Sequence, residues 1–444
     1  MKKQWLKSLL IDTFLVAITM GIGLLIRYYT FLNARYFPDI DVYYFLKGIR
    51  DGNASNEFMF VVGRFLGQDW MLSLFMGISI ASIFLFYLLC RRYTGKISSF
   101  IATLFFSISP LVFMNNKFGM IDKSVPVIFM IILCLLIMSY FKGILQVILI
   151  TLSLALFGWI WTGFYAMMFL VAWYYLINGL KHQDRFAIAY ATTLAIIIFV
   201  FGFVKLNALI NITQSYLISE LNPIWNIGIF AEYLIMILVF VFAFTKFRLD
   251  KADKKPFDKY WLVFFGFAIF FFAICITFRM HIFFMPLLYL WLAIILDELD
   301  YKWIYKILVL FFIISFVILT SWRIYLAEPV MNDGIRDAME YVNTQSSDCL
   351  IGVWGLGHIY QYYTNKTVLY KAQAGKYNEQ IQYLVDGKET PCTIIYSKED
   401  IKALKYMLTF NNNNTRVDEY WISKQIPNKV FIYNKTNETY SVIN

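Results

Sequence analysis

The alternation of apolar and polar stretches divides the chain into a long membrane-like part and a shorter mixed tail. Apolar segments run over residues 8–29, 70–90, 97–115, 124–141, 144–161, 163–179, 186–206, 228–246, 260–278, 281–297 and 303–325. Most approach the roughly 20 apolar residues that carry a helix across a bilayer, so residues 1–325 are expected to form about eleven transmembrane helices. The first segment is too long for a removable signal and lacks a small-residue cleavage site, so it reads as a span. The pattern changes at Glu328-Pro329. Over residues 326–444, helix-like runs (332–344, 357–364, 376–386, 398–409) alternate with β-rich runs (350–354, 366–370, 393–396). Further β-like runs follow at 418–423, 429–433 and 439–443. Such alternation predicts an α/β domain with a partly parallel sheet. About 115 residues suffice for one core.

Composition agrees with the segment pattern. The 444 residues are 60% hydrophobic, 20% aromatic and 15% charged, and mean hydropathy is +0.62. These values belong to a polytopic membrane protein. The net charge of +10 is unevenly spread. Residues 326–444 hold 12 basic and 13 acidic side chains, whereas the first 325 hold 27 and 16. The basic excess therefore sits among the apolar segments, as positive-inside sorting requires. No basic stripe interleaved with aromatics appears, which excludes a nucleic-acid partner. A cytoplasmic N-terminus puts 17 basic residues inside and 10 outside up to residue 325. The clearest inside loop is Phe247-Arg248-Leu249-Asp250-Lys251-Ala252-Asp253-Lys254-Lys255. The expected location is the plasma membrane, with the tail outside the cytoplasm. The cysteines Cys90, Cys134, Cys275, Cys349 and Cys392 form no CxxC pair, so no zinc site is expected. Cys349 and Cys392 both lie in the tail, and their pairing stays open.

With this topology, several polar residues fall on the outer side. Tyr36-Phe37-Pro38-Asp39-Ile40-Asp41-Val42-Tyr43-Tyr44 follows the first span. Carboxylates beside hydrocarbon cost desolvation energy unless they pair or hold a cation, and oxygen ligands of this kind suit Mg²⁺ or Mn²⁺. A solvated interfacial loop with belt tyrosines fits the same residues. Asp122 precedes the fourth span, where it is either a ligand or a helix N-cap. Glu220 lies in Leu217-Ile218-Ser219-Glu220-Leu221-Asn222-Pro223, as a ligand or a solvated acid. Arg279 precedes Met280-His281-Ile282-Phe283-Phe284-Met285-Pro286, as an anion contact or a snorkelling cation. All three acids share one face of the bilayer.

The order of these pieces resembles the catalytic subunit of oligosaccharyltransferase, a GT-C type membrane glycosyltransferase of N-linked protein glycosylation. Asp39-Ile40-Asp41-Val42-Tyr43 is similar to its first DxD motif, whose second acid binds metal. Gly119-Met120-Ile121-Asp122 is similar to its second acidic motif. Ile218-Ser219-Glu220 with Pro223 resembles the SVSE or TIxE motif, whose glutamate meets metal and acceptor amide. Arg279-Met280 with Pro286 resembles the segment whose arginine meets lipid pyrophosphate. Trp159-Ile160-Trp161-Thr162-Gly163 resembles a Trp/Gly turn between middle helices. Val353-Trp354-Gly355-Leu356-Gly357 falls where the family has WWDYG, which binds the hydroxyl residue two after the acceptor asparagine.

The resemblance implies transfer of an oligosaccharide from a polyprenyl (pyro)phosphate carrier to asparagine in Asn-x-Ser/Thr, by a protein able to work as a single subunit in the lipid bilayer. Asp41 and Glu220 are then catalytic, and Asp41, Asp122 and Glu220 hold Mg²⁺ or Mn²⁺. Arg279 contacts the lipid pyrophosphate, while Glu220, Trp354, Gly355 and Leu356 meet the acceptor peptide. The sequence departs from the family where Gly355 and Leu356 replace an acid and a tyrosine, and where Ser124 replaces a further acid. The family has thirteen spans, and the shortfall here lies between Asp122 and Glu220. Glu399-Asp400-Ile401-Lys402 is a poor match to the family's Asp/Lys helical motif. Three other readings remain: another GT-C enzyme using a polyprenyl-phosphate sugar, an inactive relative binding lipid-linked sugar, and a transporter. The nearly charge-free middle spans argue against a transporter.

Overall fold

In a computed structural model of the chain, the residues described are 2–32, 40–52, 55, 57–109, 112, 121–202, 281–298, 333–344, 349–352, 357–364, 366–369, 393–397, 430–434 and 439–443. Their helices, in chain order, are α1 (Lys2–Leu32), α2 (Ile40–Arg50), α3 (Phe58–Leu66), α4 (Gln68–Tyr93), α5 (Lys96–Ile108) and α6 (Ser124–Tyr140). Next come α7 (Gly143–Ile160), α8 (Tyr165–His182), α9 (Arg185–Ile197), α10 (His281–Glu298), α11 (Asp333–Thr344) and α12 (Gly357–Tyr363). Three are long and apolar enough to cross a membrane: Ser8–Tyr28 within α1, α4 and α7. Shorter apolar helices are Lys96–Ile108, Ser124–Tyr140, Arg185–Val200 and Met285–Ile294. The expected spans 228–246, 260–278 and 303–325, and with them the total of eleven, lie outside the described residues.

Helix α6 forms the centre of the bundle. It is apolar all round and its residues are buried on most sides, as a helix surrounded by other helices should be. Helices α4, α7 and α10 pack against it. At one end of the bundle, Asp12 of α1 accepts from Arg91 at 2.9 Å and from Tyr87 at 2.8 Å, and pairs with Lys96 at 3.2 Å. At the same end Asp297 accepts from the Gly95 amide at 2.7 Å. Deeper in, Arg27 is fully buried between α1, α4 and α5. Its guanidinium donates to Ser79 Oγ (3.0 Å), the Gly23 carbonyl (3.0 Å) and the Ser107 carbonyl (2.8 Å). Ser107 lies in the last turn of α5, where carbonyls lack intrahelical donors. A buried cation there satisfies an acceptor and faces the negative end of the helix dipole.

The opposite end bears on the loop alternative for residues 36–44. Residues 40–50 and 58–66 are helical, so the loop does not describe residues 40–44; residues 36–39 lie outside the described residues. Val42, Phe45, Leu46 and Ile49 recur at helical spacing and form one apolar stripe. Val42, Phe45 and Leu46 are buried against Met59 and Phe60 of α3, Met71 and Phe75 of α4, and Ile121 and Val125. Full burial of side chains of this size contributes about 1.5–3 kcal/mol each. Helices α2 and α3 approach closely through Gly48, which faces the Phe60 ring, and Gly63, which faces Ile49; a Cβ at either would collide. Tyr43 is fully buried, so it is no belt tyrosine.

The tail residues form a five-stranded sheet from β1 (Cys349–Gly352), β2 (Thr367–Leu369), β3 (Thr393–Ser397), β4 (Val430–Asn434) and β5 (Thr439–Ile443), in the order β2-β1-β3-β4-β5. The β1–β2, β1–β3 and β3–β4 pairs are parallel, and β4–β5 is antiparallel. The parallel pair β1–β2 needs a crossover, and α12 supplies it. The expected elements at 376–386, 398–409 and 418–423 lie outside the described residues.

Candidate active site

Two of the acidic sequence motifs border the buried cluster at the α2 end of the bundle. Asp41 occupies the second position of α2, immediately before Val42 of that cluster; the Asp41 side chain is outside what is described. Asp122 lies between Ile121 and Val125, both buried against the same α2 side chains. The segments bearing the two acids are thus anchored by one hydrophobic contact. Asp122 Oδ1 accepts the Ser124 amide at 3.0 Å, and the Asp122 carbonyl accepts the Val125 amide at 3.2 Å. This arrangement starts α6 and gives the N-terminal amide a carboxylate partner, as the capping alternative requires. The second carboxylate oxygen takes no hydrogen bond among the described residues. The neighbouring Lys123 is directed to Glu57 at 2.8 Å, at the start of α3.

The tail enters through α12. Residues 353–356 connect the C-terminal end of β1 to α12; the edge at the carboxyl ends of parallel strands is where α/β sheets bind ligands. The segment itself, with Trp354, Gly355 and Leu356, lies outside the described residues. Helix α12 packs along α2. The Tyr43 ring meets Tyr362 at 5.3 Å and Tyr363 at 5.6 Å, and Tyr44 meets the His358 ring at 4.7 Å. Edge-to-face and tilted pairs at these separations are favourable. Burial pushes the Tyr363 hydroxyl above its ordinary pKa; the nearby Tyr43 hydroxyl and the charge of Arg336 act against this, while Tyr362 adds to it. Arg50 lies over the Tyr362 ring at 5.0 Å and donates to the Tyr362 carbonyl at 3.3 Å. Lys47 donates to the Gln361 carbonyl.

The Trp/Gly turn lies at the same end. Trp159 of α7 packs edge-on against Phe58 at 5.2 Å. Trp161 stacks on Phe283 of α10 at 5.6 Å, and its indole lies where a Cβ on Gly163 would project. That contact fixes the start of α10, two residues beyond Arg279. Arg279 and Glu220 themselves lie outside the described residues. The expected ligands Asp41, Asp122 and Glu220 would offer only carboxylate oxygens, the chemistry that suits Mg²⁺ or Mn²⁺. Among the described residues no three His, Cys, Asp or Glu side chains converge.

With the geometry in hand, the chain can be set beside known proteins. It is similar to the crystal structure of the Archaeoglobus fulgidus oligosaccharyltransferase tethered to an acceptor peptide containing the NVT sequon. That match has a TM-score of 0.58 and 14% identity, and covers 83% of this chain and 65% of that one. It is also similar to the archaeal oligosaccharyltransferase AglB from Archaeoglobus fulgidus in complex with an inhibitory peptide and a dolichol-phosphate. Here the TM-score is 0.62 at 13% identity, covering 100% of this chain and 74% of that one. A third structure, of the Archaeoglobus fulgidus enzyme in complex with Zn and sulfate, gives a TM-score of 0.58 at 12% identity, covering 94% and 67%. The chain has an oligosaccharyltransferase fold. It spans about two thirds of the length of those proteins. No family model and no curated protein matches the chain by sequence.

The α2–α12 contact was not legible in the motifs. Lys47, Arg50, His358 and Tyr362 carry no motif; their signal was the helical spacing of basic residues and tyrosines after Asp41 and after Gly357.

Proposed function

We propose that this protein is an oligosaccharyltransferase, a membrane enzyme that moves an oligosaccharide from a polyprenyl (pyro)phosphate carrier to the side-chain amide of asparagine. The observation that carries the proposal is the convergence of three segments at one end of a bundle with this fold. These are the start of α2 after Asp41, the Ile121–Asp122 entry to α6, and α12 directly after the Trp354 segment. The acceptor is a polypeptide with Asn-x-Ser/Thr and the donor a lipid-linked oligosaccharide. The peptide, sequon and dolichol-phosphate bound by the fold neighbours support both. In this reading the N-terminus is cytoplasmic, the site and tail face outward, and one chain contains the whole catalytic unit.

Chemically, the task is to make an amide nitrogen attack an anomeric carbon. The nitrogen lone pair is delocalised into the carbonyl, and rotation about the C–N bond meets a barrier of about 18–20 kcal/mol. Asp41 and Glu220 accept hydrogen bonds from the two amide hydrogens and turn the nitrogen out of conjugation; as the C–N bond forms and the anomeric C–O bond to phosphate breaks, one of these carboxylates takes the amide proton. Arg279 donates a charge-assisted hydrogen bond to the departing phosphate. When bound, a divalent cation at Asp41, Asp122 and Glu220 supplies positive charge beside that leaving group and relieves repulsion among the acids. Trp354, Gly355 and Leu356 border the acceptor peptide next to Glu220.

The replacement of an acid and a tyrosine by Gly355 and Leu356 favours a second reading, an inactive relative that binds lipid-linked sugar. The experiment that separates the two uses purified protein in lipid nanodiscs, a polyprenyl-pyrophosphate oligosaccharide and a fluorescent Asn-x-Thr peptide. A peptide mass increased by the glycan, lost when asparagine is replaced by glutamine, supports the transferase. Donor binding without any glycopeptide supports the inactive relative.

A further inference from the structure

The end of α12 is capped almost entirely from outside. A helix leaves its last four carbonyls without intrahelical donors. In α12 these belong to Tyr360, Gln361, Tyr362 and Tyr363, and each has a donor. Thr364 gives its amide (3.0 Å) and hydroxyl (2.7 Å) to the Tyr360 carbonyl. Asn343 of α11 gives its side-chain amide to the Tyr363 carbonyl at 3.0 Å. The middle two are taken by α2, with Lys47 on Gln361 and Arg50 on Tyr362. Both α2 donors are cations, and cations are favoured at the negative end of a helix dipole. Asp51 lies beside them, 3.7 Å from Lys47 and 3.4 Å from Arg50, and holds both heads at the carbonyls. Lys47 and Arg50 sit one turn or less apart on the face of α2 that carries Tyr43 and Tyr44, and those rings already meet α12.

We propose that Lys47 and Arg50 are positioning residues that clamp α12, the helix that follows segment 353–356 in the chain, to α2, the helix that carries Asp41 in its first turn. The inference rests on the oligosaccharyltransferase reading of that segment. The logic is geometric. In the chain, segment 353–356 joins β1 to α12, and Asp41 lies in the first turn of α2. Fixing α12 to α2 therefore fixes peptide recognition to the acid that activates the amide. An unclamped α12 populates the competent arrangement for only part of the time, and apparent peptide affinity falls by that fraction. The clamp acts on α12, so its loss is expected to move peptide KM and to leave donor KM unchanged.

The test is the double variant Lys47→Met/Arg50→Met, with Lys47→Arg and Arg50→Lys as conservative controls, all full-length in nanodiscs. Hydrogen exchange of the α12 amides, measured without substrate, should speed up about three- to thirtyfold in the double variant and return toward wild type in the controls. In the transfer assay, the KM for an Asn-x-Thr peptide should rise by a similar about three- to thirtyfold factor, with donor KM and kcat at saturating peptide unchanged. Loss of folded enzyme alone would lower kcat and leave peptide KM in place. Unchanged exchange in α12 overturns the clamp, as does faster exchange with unchanged peptide KM in an active enzyme. If wild type transfers no glycan, the transferase reading fails, and the exchange measurement still decides the clamp.

Discussion

Substitution can separate the helix cap that Asp122 makes from the metal ligand proposed for it. Its Oδ1 accepts the Ser124 amide at 3.0 Å at the start of α6, and its other oxygen takes no hydrogen bond among the described residues. Asp122→Asn keeps an oxygen acceptor of the same reach and removes the charge. The cap survives, and stability should change by less than about 0.5 kcal/mol, since asparagine caps about as well as aspartate. Asp122→Ala removes the acceptor as well. The Ser124 amide then loses its partner beside a buried Ser124, at a cost of about 0.5–2 kcal/mol. In a chain of this size that lowers Tm by only a few degrees. In the proposed metal site Asn keeps the oxygen without its charge and Ala keeps neither, and loss even of a group that only supports a metal ligand costs about 10–100-fold in affinity or activity. The assay pairs thermal unfolding in detergent with glycopeptide formation across a Mn²⁺ titration. Asn should match wild type in Tm and need far more Mn²⁺, whereas Ala should fail in both. An Asn variant with wild-type activity and Mn²⁺ dependence, beside an Ala variant that is only less stable, would show that Asp122 is a helix cap and nothing more.

Three further outcomes follow from the same structure. Arg27→Met removes donors from Ser79 and from the Gly23 and Ser107 carbonyls; the Ser107 carbonyl, in the last turn of α5, is left bare at a cost of about 1–3 kcal/mol. Thermal unfolding should show a marked loss, and a variant as stable as wild type would refute that role for Arg27. Acceptor peptides ending Asn-x-Thr, Asn-x-Ser and Asn-x-Ala should be less sharply separated than by an enzyme with an intact WWDYG, because Gly355 and Leu356 offer no hydroxyl-binding side chain. Sharp rejection of Asn-x-Ala would assign that contact to another residue. Of the six sequons in the chain, at Asn53, Asn211, Asn365, Asn413, Asn434 and Asn437, glycan is expected on one or more of Asn413, Asn434 and Asn437 and on neither Asn53 nor Asn211. Glycopeptide mass spectrometry of native protein checks this, and glycan on Asn53 in active enzyme would remove that loop from the site.

The hydrophobic pattern located the bundle helices well because burial in a bundle or a bilayer demands long apolar runs. Segments 70–90, 124–141, 144–161 and 281–297 correspond to α4, α6, α7 and α10 with ends shifted by a few residues. The sheet was legible too, since buried parallel strands need short β-branched runs; 393–396 and 429–433 became β3 and β4. Helix α2 was missed for a physical reason. At eleven residues it is too short to read as a span, and its tyrosines mimic an interfacial belt. The contact that holds it, α12, lies more than 300 residues away in sequence and is made through backbone carbonyls. Carbonyls are present at every position, so no residue type announces such a contact. Asp122 shows the converse limit, because one side chain satisfies the requirements of a cap and of a ligand.

The central claim is that carboxylates from separate segments act through one cation on the asparagine amide. Glycopeptide formation from a polyprenyl-pyrophosphate oligosaccharide and an Asn-x-Thr peptide, measured before EDTA, after EDTA, and after return of Mn²⁺ or Mg²⁺, tests it most directly. The account predicts that transfer stops in EDTA, returns with either ion in the wild type, and does not return in Asp41→Asn or Glu220→Gln. Transfer that persists in EDTA, or that returns fully in both variants, would contradict it.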